Sequence, residues 1–442
     1  MSTLSKQKIL IFLYSLIITN IWLTPLFIGS DAFKYRVVIG NLLSILCIVF
    51  NLYKEKIEFK KFKKYKLLYL VLISIVGISF LANGIYFRVL GYISIALSIS
   101  VVLPTLHLSI RIDSNEDYPE LIAKGILFSF VIFMFLSVLS GPVLTIKKIY
   151  SSFTGNPNLL SGFTIVVTSA SLYLIYKKIL KNEKFYGLLI SLYTAIVLTI
   201  FAQARTALLA ILSQLIFVVV ILIPYLSCQV KSKKFNIKEI FISVFVGIVI
   251  FFLVATSLFL TLSYVKQGIA KVAPKIQISE SEKIEKSGLI DDFDIVGKRM
   301  VKGISEKSGD KFTSGRLGIW NDFLLNLKFI GHAKEGRNLV VKDRKYKSTN
   351  AHNVYLQVAY SSGIISGIAM IILMLIVIKD SFIIFFKGFK TGEYNPSDVF
   401  AIIASIGFFV FSITSGGYMI YTYYPSTLFW ILLYRFSTKN EV

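Results

Sequence analysis

The sequence predicts an all-α, polytopic membrane protein of about twelve spans, and three observations predict it. Apolar residues make up 55% of the 442 positions. They gather in blocks of about 20, the length that crosses a hydrocarbon core as a helix. Lysines fill alternate short gaps between the blocks. So apolar a chain falls outside ordinary soluble composition. A formal charge of +24 would suit nucleic acid if the lysines formed one basic face studded with aromatics. They sit between apolar blocks instead, so the expected partner is the lipid bilayer and no nucleic acid.

In order, the blocks place spans at 9–29, 37–53, 67–86, 89–109, 121–144, 158–176, 186–203, 206–227, 239–265, 353–378, 399–417 and 419–435. The first follows Lys6 and Lys8 but is too long for a signal peptide and lacks a small-residue cleavage site, so it is expected to stay as a span. Cys47 and Cys228 lie within or beside spans and far apart, which reads as packing, with neither a disulfide framework nor a metal spacing. Seven lysines in 54–66, four in 177–184 and four in 231–238 fall on one side of this topology. Short basic loops are retained in the cytoplasm, so both termini are expected there. The alternate short loops hold only Lys34, Arg36, Arg88, Lys147, Lys148 and Arg205.

Three regions follow: spans one to nine (1–265), an extracytoplasmic loop (266–352), and the last three spans with a short cytoplasmic tail (353–442). The loop carries eighteen Lys and Arg against eleven Asp and Glu. That does not oppose its placement, because long loops translocate largely regardless of charge. A connection of this length is functional or has structure of its own. Within it, SGRLGIWNDFLLNL (314–327) sets Leu317, Trp320, Leu324 and Leu327 at helical spacing, predicting an amphipathic helix on the membrane or on the bundle.

The residues suited to chemistry lie at the outer ends of spans. His352, in TNAHNVYLQ, precedes a helix expected to start near Asn353, whose positive end favours the neutral imidazole that a general base needs. Its bland alternative is a boundary histidine. Arg205 stands in a turn of a few residues and Arg316 opens the loop helix; the alternatives are a snorkelling side chain and a solvated loop charge. Together they make a coherent set, since guanidinium forks suit phosphate oxygens. Asn158, in TGNPNLL, reads as a helix cap behind Pro157. Asp31, in the first outer loop, is the rival base. DDFD (291–294) has a metal-holding D-x-D spacing without a strand and helix pattern around it, so no metal site is expected. Gly363 and Gly367 in GIISG read as close helix packing, and Tyr418, Tyr421, Tyr423 and Tyr424 as an aromatic belt.

With this topology, the segments GNPNLLSG, ARTALLA, SGRLGIW and AHNVYLQVAYSSGIISG resemble the O-antigen ligase and Wzy-type polysaccharide polymerase superfamily of bacterial membrane glycosyltransferases, GT-C-like in architecture. The resemblance implies that Arg205 and Arg316 bind the pyrophosphate of a polyprenyl-linked, undecaprenyl-type donor and that His352 activates the acceptor hydroxyl. Asn158, Asn353 and Asp31 would be supporting residues. It implies no cofactor and no metal, inversion at the donor carbon, and chain-length regulator and flippase proteins as candidate partners. The expected activity is polymerisation of lipid-linked repeat units into capsular or O-antigen-like polysaccharide, with a ligase as alternative and a lipid-linked oligosaccharide flippase as lesser one. Low Ala with high Ile, Lys and Phe suggests an AT-rich genome and a Gram-positive host without lipopolysaccharide, which favours the polymerase.

Overall fold

The computed structural model describes residues 41–49 except 43 and 47, 66–102, 118–139, 157–231, 245–261 except 259, 316–332, 350–392, 394–414 and 424–437. Asp31, the first span and DDFD lie outside them, as do Cys47, Tyr418, Tyr421 and Tyr423. The regular structure among the described residues is helical. It comprises α1 (Leu67–Tyr86), α2 (Leu90–Leu97, running on as a π turn over Ser98–Val102), α3 (Tyr118–Leu139), α4 (Pro157–Leu180), α5 (Tyr186–Phe201) and α6 (Arg205–Lys231). These are followed by α7 (Phe245–Leu258), α8 (Arg316–Leu325), α9 (Val354–Ser362), α10 (Ile364–Thr391), α11 (Pro396–Thr414) and α12 (Tyr424–Ser437). Among the described residues six helices are long and apolar enough to cross a membrane: Leu67–Tyr86, Tyr118–Val138, Pro157–Leu180, Arg205–Ile223, Ile364–Thr391 and Pro396–Ile413.

α4 is the axis of the bundle, and its sequence explains why. Ser161, Gly162, Thr164, Thr168, Ser169, Ala170 and Ser171 keep it thin, so α3, α5, α6, α11 and α12 approach it closely. In a bilayer, where lipid is as apolar as leucine, such small residues and cross-helix hydrogen bonds drive helix association. Thr164 and Thr199 share a 2.5 Å hydroxyl contact between α4 and α5. Gln214 of α6 donates to Ser169 Oγ at 2.8 Å and to the Ile403 carbonyl at 3.0 Å. The Gln214 amide fits because position 407 is glycine; a Cβ there would stand 2.2 Å from Gln214 Nε2. α10, by contrast, exposes Ile365, Ile368, Ile372 and Leu375 in one stripe, the pattern of a lipid-facing surface.

The helix ends are sorted by charge. Asp380 of α10 accepts from Lys66 Nζ at 2.6 Å and from the Tyr69 hydroxyl at 3.0 Å. Glu120 pairs with Lys124 and Lys177, and Arg435 donates to Asp398 at 2.6 Å. These pairs join the starts of α1, α3 and α11 to the ends of α4 and α12 and to the second half of α10, so they lie toward one side of the bundle. The paired Asp380 also explains why α10 continues to Thr391 where the sequence reading stops at 378. A carboxylate supplied with two donors does not break an apolar helix.

The tenth predicted span is not one helix. It breaks at Gly363, whose φ of 106° and ψ of 156° suit glycine almost alone. The break is where the outer loop docks. Ile364 N donates to the Lys328 carbonyl at 3.2 Å, His332 N to the Ser361 carbonyl at 3.3 Å, and Asn83 of α1 to the Ser362 carbonyl at 3.1 Å. The groups freed by the break are therefore satisfied. Gly367 does serve close packing, since a Cβ on it would lie 2.4 Å from Ala359 Cβ. At Gly363 the same addition would meet the Phe329 carbonyl oxygen at 2.1 Å. Gly363→Ala is thus expected to cost about 3 kcal/mol through strain and loss of docking. It should appear as a lower melting temperature in detergent and faster proteolysis near residue 330; wild-type values for both would refute the docking.

Candidate functional site

Three helix starts supply the site. Arg205 is the first residue of α6, after a turn closed by Ala202 N to Leu198 O at 2.9 Å and Gln203 N to Ile200 O at 2.9 Å. Gln203 takes a φ of 50° to make that reversal. The shortness of the turn holds Arg205 at the bundle end, where its side chain is exposed. Arg316 is the first residue of α8 and is partly buried. His352 directly precedes Asn353, the cap of α9.

α8 is fixed to α9 by a small core of Phe323, Ala351 and Tyr360, with Ile319, Leu327 and Leu356 packed on it. The loop helix therefore lies on the bundle. Its docked face is Ile319, Phe323 and Leu327, whereas the expected stripe residues Leu317 and Leu324 are exposed. Leu327 of the expected stripe does dock, while Ile319 and Phe323 take the places expected of Leu317 and Leu324, with the Tyr360 ring 4.7 Å from Phe323. On its other flank Tyr360 stacks on His332 at 4.2 Å, and His332 Nδ1 lies 3.1 Å from the Tyr360 carbonyl. His332 was not singled out by the sequence reading, for a lone histidine inside a polar loop carries no signal of burial.

The three candidates act on one another electrostatically. Burial first, and then the charge of Arg205, lower the pKa of Arg316. Guanidinium remains protonated in proteins all the same. Burial, followed by the charge of Arg316, holds the His352 imidazole below its ordinary range. The neutral ring was expected from the helix end; the causes resolved are burial and the neighbouring arginine. Among the described residues neither guanidinium is paired with a carboxylate. Two cations that act on each other electrostatically, each at the N-terminus of a helix, make a setting that favours an anion.

Backbone geometry at His352 is unusual, with φ at 46°. Asn350 Oδ1 accepts the His352 N–H at 3.0 Å, and Gln357 Oε1 accepts the Ala351 N–H at 3.0 Å. The Asn350 bond is an Asx turn, legible in principle from the N-x-H spacing; the Gln357 bond is not. Asn353 is structural at both ends. Its Oδ1 accepts from Leu356 N at 3.0 Å, and its Nδ2 donates to the Ile413 carbonyl at 3.1 Å. Beside it, Ser412 donates to the Tyr355 hydroxyl at 2.9 Å, so α9 is tied to the end of α11 twice. Asn158 is the second residue of α4 and not its cap, because Pro157 takes the first position. A missing N–H costs nothing there.

Among curated proteins the chain has no match. The helices long and apolar enough for spanning make this a multi-pass membrane protein. Residues 189–372, which hold Arg205, Arg316 and His352, match the family model Wzy_C, described as O-Antigen ligase, and the match over that segment supports the Wzy and O-antigen ligase superfamily.

Proposed function

We propose that this protein polymerises polyprenyl-pyrophosphate-linked oligosaccharide repeat units into a capsular or O-antigen-like surface polysaccharide. The observation that carries the reading is the electrostatic chain from Arg205 through Arg316 to His352, assembled from three helix starts. Its coarser part, a polymerase or ligase role in surface polysaccharide synthesis, is supported by the family match over residues 189–372.

In the proposed step an acceptor hydroxyl oxygen attacks the anomeric carbon of the donor sugar from the face opposite the pyrophosphate, inverting that centre. The carbon–oxygen bond to pyrophosphate breaks and its electron pair leaves on phosphate oxygen. Arg205 and Arg316 stabilise that growing charge, and fixed cations lower the barrier because they meet it without reorganising. The hydroxyl proton passes to His352, neutral for the reason given above. The mechanism calls on no metal. The site belongs on the extracytoplasmic face, since the opposite end of the bundle carries the lysine-rich connection 177–184.

The ligase reading stays in view because the matched family description names a ligase. Purified protein given synthetic pyrophosphate-linked repeat units in detergent separates the readings. A ladder of products spaced by one repeat is expected. Transfer only to an added non-repeat acceptor identifies a ligase, and no transfer to any acceptor leaves the flippase.

A further inference from the structure

We propose that Gln357 is a positioning residue, fixing the turn at 351–352 and so the place of the His352 imidazole. The inference rests on the reading of His352 as the base. Gln357 lies one turn into α9 and is fully enclosed. Both ends of its amide are committed. Oε1 accepts the N–H of the buried Ala351 at 3.0 Å, and Nε2 donates to Ser361 Oγ at 3.0 Å.

Glutamine is an expensive choice for an enclosed position on a helix, where leucine would pack as well. What leucine could not supply is an acceptor for Ala351, whose N–H has no water to turn to. That bond acts next to a residue with φ of 46°, a conformation that persists in a non-glycine residue only when its surroundings over-determine it. Asn350 holds the turn from the loop side and Asn353 fixes its helical end. Gln357 is the part of the clamp anchored inside the bundle. Without it the turn can relax and the imidazole gains freedom.

The test uses full-length protein in detergent, with Gln357→Met removing the acceptor at nearly constant size and Gln357→Glu keeping an acceptor oxygen. The chain has three histidines, His107, His332 and His352. Carbon-13 labelling of histidine therefore gives three signals, and the one lost in His352→Gln is assigned. In Gln357→Met the His352 titration is expected to move up toward the ordinary histidine value. With the repeat-unit substrate, kcat should fall about 10-fold to 100-fold at little-changed KM, the mark of misplaced machinery rather than lost binding. Gln357→Glu should restore most of the rate. If Gln357→Met does not fold, Ser361→Ala frees the far end of the amide and should move the titration the same way by a smaller amount. An unmoved His352 titration in the folded variant overturns the proposal. The titration is read without substrate, so it stands apart from any failure of the polymerase reading.

Discussion

Arg316→Lys is expected to lower the rate of glycosyl transfer by about 10²- to 10³-fold, the loss typical of removing one preorganised donor at a developing anion. Lysine keeps a positive charge in water but differs here in two ways. Its ammonium is a point donor and cannot present two parallel N–H bonds to phosphate oxygens. It would also sit in the surroundings that already lower the pKa of Arg316, burial and the charge of Arg205. A lysine under those pressures can lose its proton, which a guanidinium does not. Folding should be little affected, because Arg316 has no carboxylate partner among the described residues. The measurement is the initial rate of polymer formation at matched protein level and matched melting temperature. Full activity in Arg316→Lys would remove Arg316 from the pyrophosphate role, and full activity in the double variant with Arg205→Lys would remove both residues.

How much of this was readable in advance depended on the kind of force involved. Span positions such as 67–86 came from apolar length alone, because the bilayer imposes that length on any helix that crosses it. The placing of Arg205, Arg316 and His352 at one end of the bundle followed from alternation of the spans, and the structure brings the three within electrostatic reach. What escaped was set by contacts between segments distant in sequence. The break at Gly363 depends on residues 328–332 lying against it, and Gly-x-x-x-Gly spacing does not separate such a break from ordinary close packing. The docked face of α8 is chosen by a tyrosine 37 positions beyond Phe323. Nothing in the sequence around Gln357 marks it out, because its partner is the Ala351 N–H, which donates to it only in the folded turn.

Replacing His352 by glutamine should reduce transfer about 10²- to 10⁴-fold, the span a positioned general base contributes, and should also change the pH dependence in a way that identifies the cause. A base acts in its unprotonated form, so wild-type activity rises with pH and levels once the imidazole has lost its proton. Since burial and Arg316 both lower the His352 pKa, that inflection is expected below 6.5, the ordinary histidine value. In His352→Gln the acid limb should be absent, leaving a low rate that is flat across the same range. Arg316→Ala gives the complementary signature. Removing the second cause while burial remains should move the surviving inflection upward, though not above the value of an exposed histidine. Stability carries the same sign. The folded state holds His352 neutral more strongly than the unfolded chain does, so its contribution is complete above pH 6.5 and is lost as the pH falls from there through the lower folded pKa. Wild-type melting temperature should therefore drop over that interval more than that of His352→Gln. An acid limb that survives unchanged in His352→Gln would assign the base to another residue, and Asp31 is the next to test.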